Sequence, residues 1–581
     1  MARQEVRQSK RERGGLLDAS QTRRDFLRTI GLGAAAVGAT SLAAACAPVA
    51  APASESMEGG EAASSVLRVA FGGPSEQMRA GAFNNPFPRP WVSLTRNKLV
   101  RQGVNLDLEG DLLEGWEASA DGKSYTLHVR PGVKWHDGEA FSARDVEFFL
   151  RRVVDKRASF AVAGFLVVKG AQGKYEGDPA ALASDSLEGV EIVDDLTVSV
   201  DLETPYTPFP SELAHWGAGL GGPEHLLRDV APEDIPSHSV STSQPVGTGP
   251  FKFADFQPNE YIELHRNDDY HRGRPGIEKI FSVGGNEDTL TLMMQNGELD
   301  LWQINLSGIS IETLQAVQEM PHIEIVDFGS ANYHAWEVCV DPDVCDPWVG
   351  PKELRQAMLY SLDREALNKT FLGGLGGIIN THPMPAGWQD APDLNEYPYD
   401  PDKARELLAQ INWDAEREVL ATLPTGRGFR VRLAEACQQM WAEVGLNVKL
   451  QQVESGISQF KDPGIYGIVQ SGMESGLDPN YMFTYYSHVL PPECCNHPRF
   501  VNDEAIGYLQ TGQQEFERDK RQDAYHGLQR LLNDELPRLW LFKVPMLFAK
   551  SRKLQNVHMT PHYGSYSWDP VVNAEEWTLE S

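Results

Sequence analysis

The 581-residue chain has few cysteines, six in all, and no run of about 18 apolar residues that could cross a bilayer. Basic side chains are also scarce, because 52 Lys and Arg stand against 82 Asp and Glu, for a formal net charge of −30. Such a surface repels nucleic acid and anionic lipid headgroups, so neither is an expected partner. The sequence also lacks a phosphate-binding loop, an H-E-x-x-H zinc motif and a G-x-S-x-G nucleophile elbow. These absences argue against a secreted α/β hydrolase, which is the main enzymatic alternative.

The N-terminus has the pattern of an export signal. Residues 1–28 are rich in Lys and Arg, and residues 30–45 form a mild Ala/Gly-rich apolar run that ends at Cys46. Arg23-Arg24 lies in a segment that resembles a twin-arginine signal, and residues 43–46 resemble a lipobox. A plain cleaved signal with an incidental cysteine is the alternative. We expect removal of residues 1–45 and a lipid on Cys46, with the exported protein anchored to the outer face of the cell membrane or held in the periplasm.

The rest of the chain divides into a linker and a large folded part. Residues 46–65 lack bulky apolar side chains and are typical of a flexible tether. The remaining chain is too long for one hydrophobic core, so we expect roughly two or three domains. Strand and helix patterns interleave along it, which predicts a mixed α/β fold.

Apolar residues at helical spacing, with capping residues at the ends, predict several helices. The predicted helices are 351–361, 363–371, 400–410, 429–444 and 519–535. Asp400 is suited to cap the third of these, with Pro401 in its first turn. Residues 446–450 alternate polar and apolar side chains directly after Gly445, which predicts a strand.

The pair His136-Asp137 raises the question of acid–base chemistry. It lies in the segment RPGVKWHDGEAFSARDV, where Pro131-Gly132 and Asp137-Gly138 are turn signals. A strand is predicted before it, over 125–129, and Ser142 is suited to cap a following helix. No nucleophile lies nearby in the sequence, and a general base requires a substrate within reach. The segment therefore predicts a structural turn without a reaction.

The cysteines after Cys46 allow more than one arrangement. Cys339 and Cys345 could close a small disulfide loop outside the cytoplasm. Cys437 lies in a helical pattern and is expected to be a buried apolar residue. A zinc site is a further candidate, although adjacent cysteines fit the usual ligand spacing poorly. Its ligands would be His488, Cys494, Cys495 and His497.

A series of segments resembles the signature of the family 5 extracellular solute-binding proteins, the peptide-, nickel- and oligosaccharide-binding components of ABC importers. In order, the segments are 111–116, 121–125, 130–146, 245–251, 266–270, 297–300, 354–357, 363–367 and 399–404. They span roughly residues 66 to 545, and ordered matches at many sites are more specific than one motif. The resemblance implies a two-lobed periplasmic-binding-protein-like α/β fold, with an additional small domain and a ligand cleft between lobes that close about a hinge.

The resemblance also implies a division of the chain and a way of working. The first lobe would comprise 66–105, 206–330 and 537–581, the small domain 106–205, and the second lobe 331–536. The protein would be a monomer without a cofactor. It would capture a solute and deliver it to the permease subunits of an importer, while separate cytoplasmic ATPases supply the energy.

The family's ligand-facing strand resembles residues 471–479. Gly472 stands where the family has Trp, and Ser475 stands where peptide binders have the Asp that holds the ligand's α-amine. A neutral hydroxyl cannot replace the charge-assisted hydrogen bonds of a carboxylate to an ammonium. The sequence therefore predicts a neutral polyhydroxylated ligand, held by amides and stacked on Trp, more than a peptide.

The candidate ligand-binding residues come from that strand, from a loop of the first lobe and from tryptophans that could replace the missing one. They are Asn84, Asn85, Phe87, Trp91, Trp302, Trp336, Trp388, Ser471, Gly472, Met473, Glu474, Ser475 and Asp478. Tryptophans are often core residues, so each of them is also a candidate for burial.

Overall fold

The structure is a computed structural model of the chain. It describes residues 65–71, 90–103, 105–157, 163–216, 222–257, 260–306, 309–329, 332–345, 347–385, 387–425, 428–453, 467–474, 476–490, 495–560 and 571–580. Ser64–Ser581 forms one compact unit. Within the described residues, no helix combines the length and the apolar character that crossing a membrane requires.

The strands alternate along the chain with helices and turns. They are β1 (Val66–Phe71), β2 (Val100–Gln102), β3 (Leu108–Gly110), β4 (Leu113–Ala118), β5 (Ser124–Val129), β6 (Val190–Asp194), β7 (Thr197–Asp201), β8 (Phe251–Gln257), β9 (Tyr261–Arg266), β10 (Lys279–Val283), β11 (Leu301–Asn305), β12 (Ile323–Asp327), β13 (Asn332–Val338), β14 (Gly377–Ile378), β15 (Glu418–Pro424), β16 (Asn447–Val453), β17 (Ile468–Glu474), β18 (Arg538–Lys543), β19 (Met546–Ser551), β20 (Leu554–Gln555) and β21 (Thr578–Leu579).

The α-helices of the described residues are spread along the chain, and most of the longer ones lie in its second half. They are α1 (Pro90–Thr95), α2 (Ala143–Val153), α3 (Ala171–Glu176), α4 (Pro179–Ala183), α5 (Phe209–Trp216), α6 (Glu224–Leu227), α7 (Ser239–Thr242), α8 (Glu287–Gln295), α9 (Ile311–Gln318), α10 (Lys352–Tyr360), α11 (Arg364–Leu372), α12 (Pro401–Gln410), α13 (Gly428–Glu443), α14 (Met482–Tyr486), α15 (Asp503–Gln514) and α16 (Arg518–Glu535).

The first large sheet has seven strands in the order β12-β19-β11-β1-β10-β9-β8. β1 lies parallel to both of its neighbours, and the other pairs are antiparallel. Apolar side chains such as Leu67, Val69 and Leu301 are fully buried against it. This sheet is the framework of the first lobe.

The second large sheet has six strands in the order β14-β18-β13-β17-β15-β16. β15 lies parallel to β16 and β17, and α13 makes the crossover from β15 to β16, since parallel neighbours need a long connection. Helices pack beside the sheet around buried aromatic residues, including Trp336, Trp441 and Trp540. This sheet is the framework of the second lobe.

A separate antiparallel sheet with the order β4-β5-β7-β6 belongs to the small domain. Its side chains form their own core with α2, in which Leu127, Val146 and Val198 are fully buried. Ser142 caps α2, and Asp145 accepts a hydrogen bond from the Ser142 backbone N–H, which completes a capping box. The expected cap and helix are confirmed.

The predicted helices and strand of the second lobe are present to within a few residues. α12 begins at Pro401, and Asp400 accepts a hydrogen bond of 2.8 Å from the Lys403 backbone N–H. α13 is followed by Gly445 at a φ of +90°, and β16 begins directly afterwards. Local spacing and caps were enough to predict these elements, because they depend on neighbours in the sequence.

The two strands that follow the predicted boundary at residue 537 belong to different sheets. β18 pairs antiparallel with β13 in the second sheet, whereas β19 pairs with β11 and β12 in the first. The chain therefore changes lobe between Lys543 and Met546. Pro545 interrupts the apolar run there, but the partners of each strand lie far away in sequence and local pattern does not reveal them. The predicted domain limits stay a prediction.

Candidate functional site

A cavity of about 400 Å³ lies between the two lobes and the small domain. The β2–β3 hairpin, Trp116 and the start of α5 form one wall of the cavity. The second lobe forms the opposite wall. The lining residues are Gln102, Asn105, Leu106, Asp107, Leu108, Trp116, Thr207, Pro210, Ser211, Gly387, Trp388, Leu477, Asp478, Arg518 and Arg521. An adjoining pocket that shares Gln102 and Leu477 measures only about 50 Å³, enough for a few waters. We call the larger space the interlobe cavity.

The second-lobe wall of the interlobe cavity is built around Trp388. The guanidinium carbon of Arg518 lies 3.9 Å from the Trp388 ring centroid, and that of Arg521 lies 5.2 Å from it. The edge of the Trp388 ring also meets Tyr525, with 6.0 Å between centroids. Cation–π contacts and ring packing of this kind hold an indole in one orientation. Trp388 is therefore a fixed surface of the cavity.

Asp478 and Arg521 form a buried ion pair in the same wall. Their oxygen and nitrogen lie 2.6 Å apart, and the two side chains are 10% and 7% exposed. Burial alone would lower the pKa of Arg521, but the Asp478 carboxylate raises it above its ordinary value. Asp478 also accepts a hydrogen bond from the Asn480 backbone N–H, at 2.9 Å. The two charges satisfy each other inside the protein.

The facing wall comes from the turn between β2 and β3. The Gly103 N–H donates to the Asp107 carbonyl, and the Gln102 side chain donates to the Leu106 carbonyl. Leu106 has a φ of +69°, an uncommon conformation for a residue with a side chain. A Cβ on Gly387 would lie 3.9 Å from the Cβ of Leu106, so the β2–β3 turn meets the second lobe at this end of the cavity.

Residues 122 and 207 also contact the second lobe beside the cavity. The Thr207 N–H donates to the Gln513 carbonyl at 2.8 Å, and the Thr207 hydroxyl donates to the Glu515 carbonyl at 2.9 Å. The ring of Phe516 lies where a Cβ on Gly122 would be, only 2.3 Å from that position. Only glycine fits at residue 122, since its φ of +66° also disfavours a side chain. These contacts join the two sides of the cavity.

Gly472 leaves space at the end of β17, and Arg430 fills it. A Cβ on Gly472 would lie 2.6 Å from an Arg430 nitrogen and 3.4 Å from the ring of His334. Burial, together with the nearby Arg430 guanidinium, lowers the pKa of His334 to about 3, so its imidazole is neutral near pH 7. A tryptophan at residue 472 would require Arg430 to move.

The candidate residues predicted from sequence separate into three groups. Trp388 and Asp478 line the interlobe cavity, with Asp478 already paired to Arg521. Trp302 is 3% exposed in β11, and Trp336 is fully buried 5.1 Å from Trp441; neither is among the residues that line the interlobe cavity. Both are core residues because large aromatic side chains dominate burial.

Most of the other candidates lie wholly or partly outside the described residues. Ser471 is buried in β17, and Gly472 is half-buried beside it. For Trp91, Met473 and Glu474 only the backbone is described. Asn84, Asn85, Phe87, Ser475 and the lipid-attachment residue Cys46 lie outside the described residues. Their roles stay predictions.

Sequence reasoning missed the residues that contribute most charge to the cavity. Arg518 and Arg521 lie in the first turn of α16, which was predicted as a helix without a role in the site. Their spacing of three residues places them on one helix face, and this is the signal that could have drawn attention to them. Asp107 and Trp116 carry no such signal, because only the fold brings their segments to the second lobe.

His136 lies apart from the cavity and holds a turn of the first lobe. Its ring nitrogens hydrogen-bond the Gly249 carbonyl at 3.0 Å and the Gly247 N–H at 3.2 Å. Burial lowers the pKa of His136 to about 4. The expected turn is confirmed, with Gly132 and Gly138 both at positive φ. The imidazole has a structural role that the sequence did not reveal, since it joins the small domain to the first lobe.

The cysteines resolve one of the open alternatives. Cys339 and Cys345 form a disulfide, and Cys437 is free and buried as expected. Cys495 is also disulfide-bonded, which removes the thiolate that a zinc ion would need. His497 instead contacts Glu337, at 3.1 Å. Among the described residues no cluster of three or more potential metal ligands occurs.

Comparison with known proteins places this chain in a family. Residues 107–489 match the model described as bacterial extracellular solute-binding proteins, family 5. The dipeptide-binding protein of Escherichia coli (strain K12) is 26% identical over 482 residues, which cover 79% of this chain and 85% of that protein.

Two solved structures share the fold. NikZ from Campylobacter jejuni in complex with Ni(L-His) has a TM-score of 0.71 at 22% identity, and covers 88% of this chain and 99% of its own. The oligopeptide-binding protein AppA from Bacillus subtilis in complex with a nonapeptide has a TM-score of 0.69 at 19% identity. The match covers 89% of this chain and 99% of the AppA chain. The predicted two-lobed periplasmic-binding-protein fold of mixed α/β type is confirmed. The chain belongs to the family 5 bacterial extracellular solute-binding proteins.

Proposed function

We propose that this protein captures a polar solute in the interlobe cavity and delivers it to the permease subunits of an ABC importer. Family 5 proteins are transport binding proteins, not enzymes, so the hydrolase alternative is set aside. The observation that supports the proposal most is the cavity itself. It lies where both lobes and the small domain meet, and polar groups make up most of its lining.

The contacts between the lobes support a capture mechanism. Three contacts connect the second lobe to the rest of the chain across the cavity. They are made by Thr207, by Phe516 and by Leu106 with Gly387. A binding protein needs such contacts only when it is closed, because closure shields the solute and presents one shape to the permease. We infer that solute binding and these contacts stabilise the same closed state.

Export and anchoring follow from the N-terminal sequence. Arg23-Arg24 would direct export, and a lipid on Cys46 would retain the protein at the membrane surface. Residues 46–65 would then act as a flexible tether that lets the lobes reach the permease. Family 5 binding proteins act in the periplasm or outside the cell, which is consistent with such an arrangement.

A thermal-shift panel tests the binding function and separates ligand classes. The panel contains oligosaccharides and di- to pentapeptides, added to the purified mature chain. A ligand at a hundredfold excess over its Kd adds about 2.7 kcal/mol to the folded state, so binding gives a clear and saturable rise in Tm. Shifts from sugars alone would favour the neutral ligand predicted from Gly472 and Ser475. Chemical conversion of any panel member would contradict a binding role.

A further inference from the structure

The most accessible cation of the interlobe cavity is Arg518. Its guanidinium carbon lies 3.9 Å from the Trp388 ring centroid, and it donates one hydrogen bond to the Gly387 carbonyl. A guanidinium has five N–H donors, so several stay available. Within the described part of the chain, no carboxylate lies within ion-pair distance of Arg518. The stacking holds this charge in place before any ligand arrives.

Unlike Arg521, Arg518 has no ion-pair partner among the described residues. Arg521 is matched by Asp478, and that pair contributes no net charge to the second-lobe wall. A preorganised guanidinium recognises a carboxylate through two parallel hydrogen bonds, and in a partly enclosed space such bonds are stronger than in water. The second-lobe wall is therefore suited to an anionic group on the ligand.

The facing wall offers the opposite charge. Asp107 lines the cavity in the β2–β3 turn, next to Leu106, and it has no ion-pair partner among the described residues. Hydrogen bonds from Gly103 and Gln102 hold the backbone of this turn. Leu106, the neighbour of Asp107, approaches Gly387, and the Gly387 carbonyl accepts a hydrogen bond from Arg518. The Asp107 carboxylate and the Arg518 guanidinium therefore lie towards the same end of the cavity.

We infer that Arg518 and Asp107 set the specificity of the cavity for a zwitterionic solute. Arg518 would bind a carboxylate of the ligand, and Asp107 would bind an ammonium. The ammonium contact that residue 475 no longer provides is thereby supplied by the other lobe. This inference rests on the proposed function. It replaces the uncharged polyhydroxylated ligand predicted from the sequence with a ligand that carries one positive and one negative group.

The test compares capped and free ligands on matched variants. The peptide of the panel that gives the largest thermal shift is titrated by calorimetry in three forms: free, N-acetylated and C-amidated. Arg518→Gln should weaken the free and N-acetylated forms tenfold or more and leave the C-amidated form unchanged. Asp107→Asn should weaken the free and C-amidated forms equally strongly and leave the N-acetylated form unchanged. Arg530→Gln, in the exposed part of the same helix, and Asp121→Asn, in an exposed turn, are the controls.

Three results would overturn the inference. Equal weakening of all three forms would mean that Arg518 and Asp107 only close the cavity, by pairing with each other. Unchanged binding in both variants would mean that neither contacts the ligand. Binding of an oligosaccharide and of no zwitterion would reject the ligand class, although the proposed transport role would survive. Absence of any retained or added ligand would instead count against the transport role.

Discussion

At the scale of single residues, His136 shows how a polar side chain with an apparent catalytic partner can be structural. Its imidazole is half-buried, is neutral near pH 7 and bridges Gly247 and Gly249 of another domain. We expect His136→Asn to leave ligand affinity within tenfold of the wild type, since the residue lies outside the cavity. We expect it to reduce the free energy of unfolding by about 1–2 kcal/mol through the lost hydrogen bonds. Urea denaturation and calorimetry measure the two quantities.

The cost of His136→Asn should depend on pH. The pKa of His136 is about 4 in the folded chain and about 6.5 in the unfolded chain. Between these values the unfolded state binds more protons, so the contribution of His136 is full above about pH 6.5 and declines as the pH falls towards 4. The stability difference between variant and wild type should therefore shrink over that range. A difference that stays constant or grows would contradict the structural role.

Asp478 is a second residue whose structural role can be measured. Asp478→Asn leaves the buried Arg521 without a carboxylate, which should cost roughly 3–5 kcal/mol of unfolding free energy. Asp393→Asn removes the carboxylate from the exposed pair with Arg530 and should cost at most about 1 kcal/mol. Urea denaturation without ligand compares the two. Equal and small costs would show that Asp478 is not the partner that keeps Arg521 buried.

At the scale of helices and strands, α12 provides a test of the local rules. Asp400→Ala removes the cap from the Lys403 N–H and should lower the unfolding free energy by about 1 kcal/mol. Asp402→Ala, one residue into the same helix, breaks only an exposed pair with Arg405 and should cost no more than about 0.5 kcal/mol. If the two variants lose the same stability, the cap contributes nothing beyond surface charge.

Elements of this kind could be predicted from the sequence because their causes are local. The Asp400 cap, Gly445 after α13 and the Ser142 capping box all act within a few residues. The passage of the chain from the second lobe to the first at residues 544–545 could not be predicted. β18 and β19 pair with different strands, and these strands lie hundreds of residues away in the sequence. The same limit applies to the site. Trp388 and Trp336 are chemically alike, and only the packing places one in the cavity and the other in the core.

At the scale of the whole molecule, the N-terminal segment should decide where the protein resides. Cys46→Ala removes the thiol to which a lipid would be attached, and we expect the exported variant to move from the membrane fraction to the soluble fraction. Ser54→Ala in the same tether is the control and should stay membrane-bound. Cell fractionation with immunoblotting reads the outcome. Retention of Cys46→Ala in the membrane fraction would contradict lipid anchoring at that residue.

The central claim is that the closed lobes hold a solute without changing it. Native mass spectrometry of the freshly purified mature chain, before and after denaturation, tests this most directly. We expect the folded chain to carry one non-covalent molecule, and we expect denaturation to release it with its mass unchanged and the mass of the protein intact. Conversion of that molecule into another during incubation, or a cavity that stays empty in every preparation and with every solute added, would contradict the account.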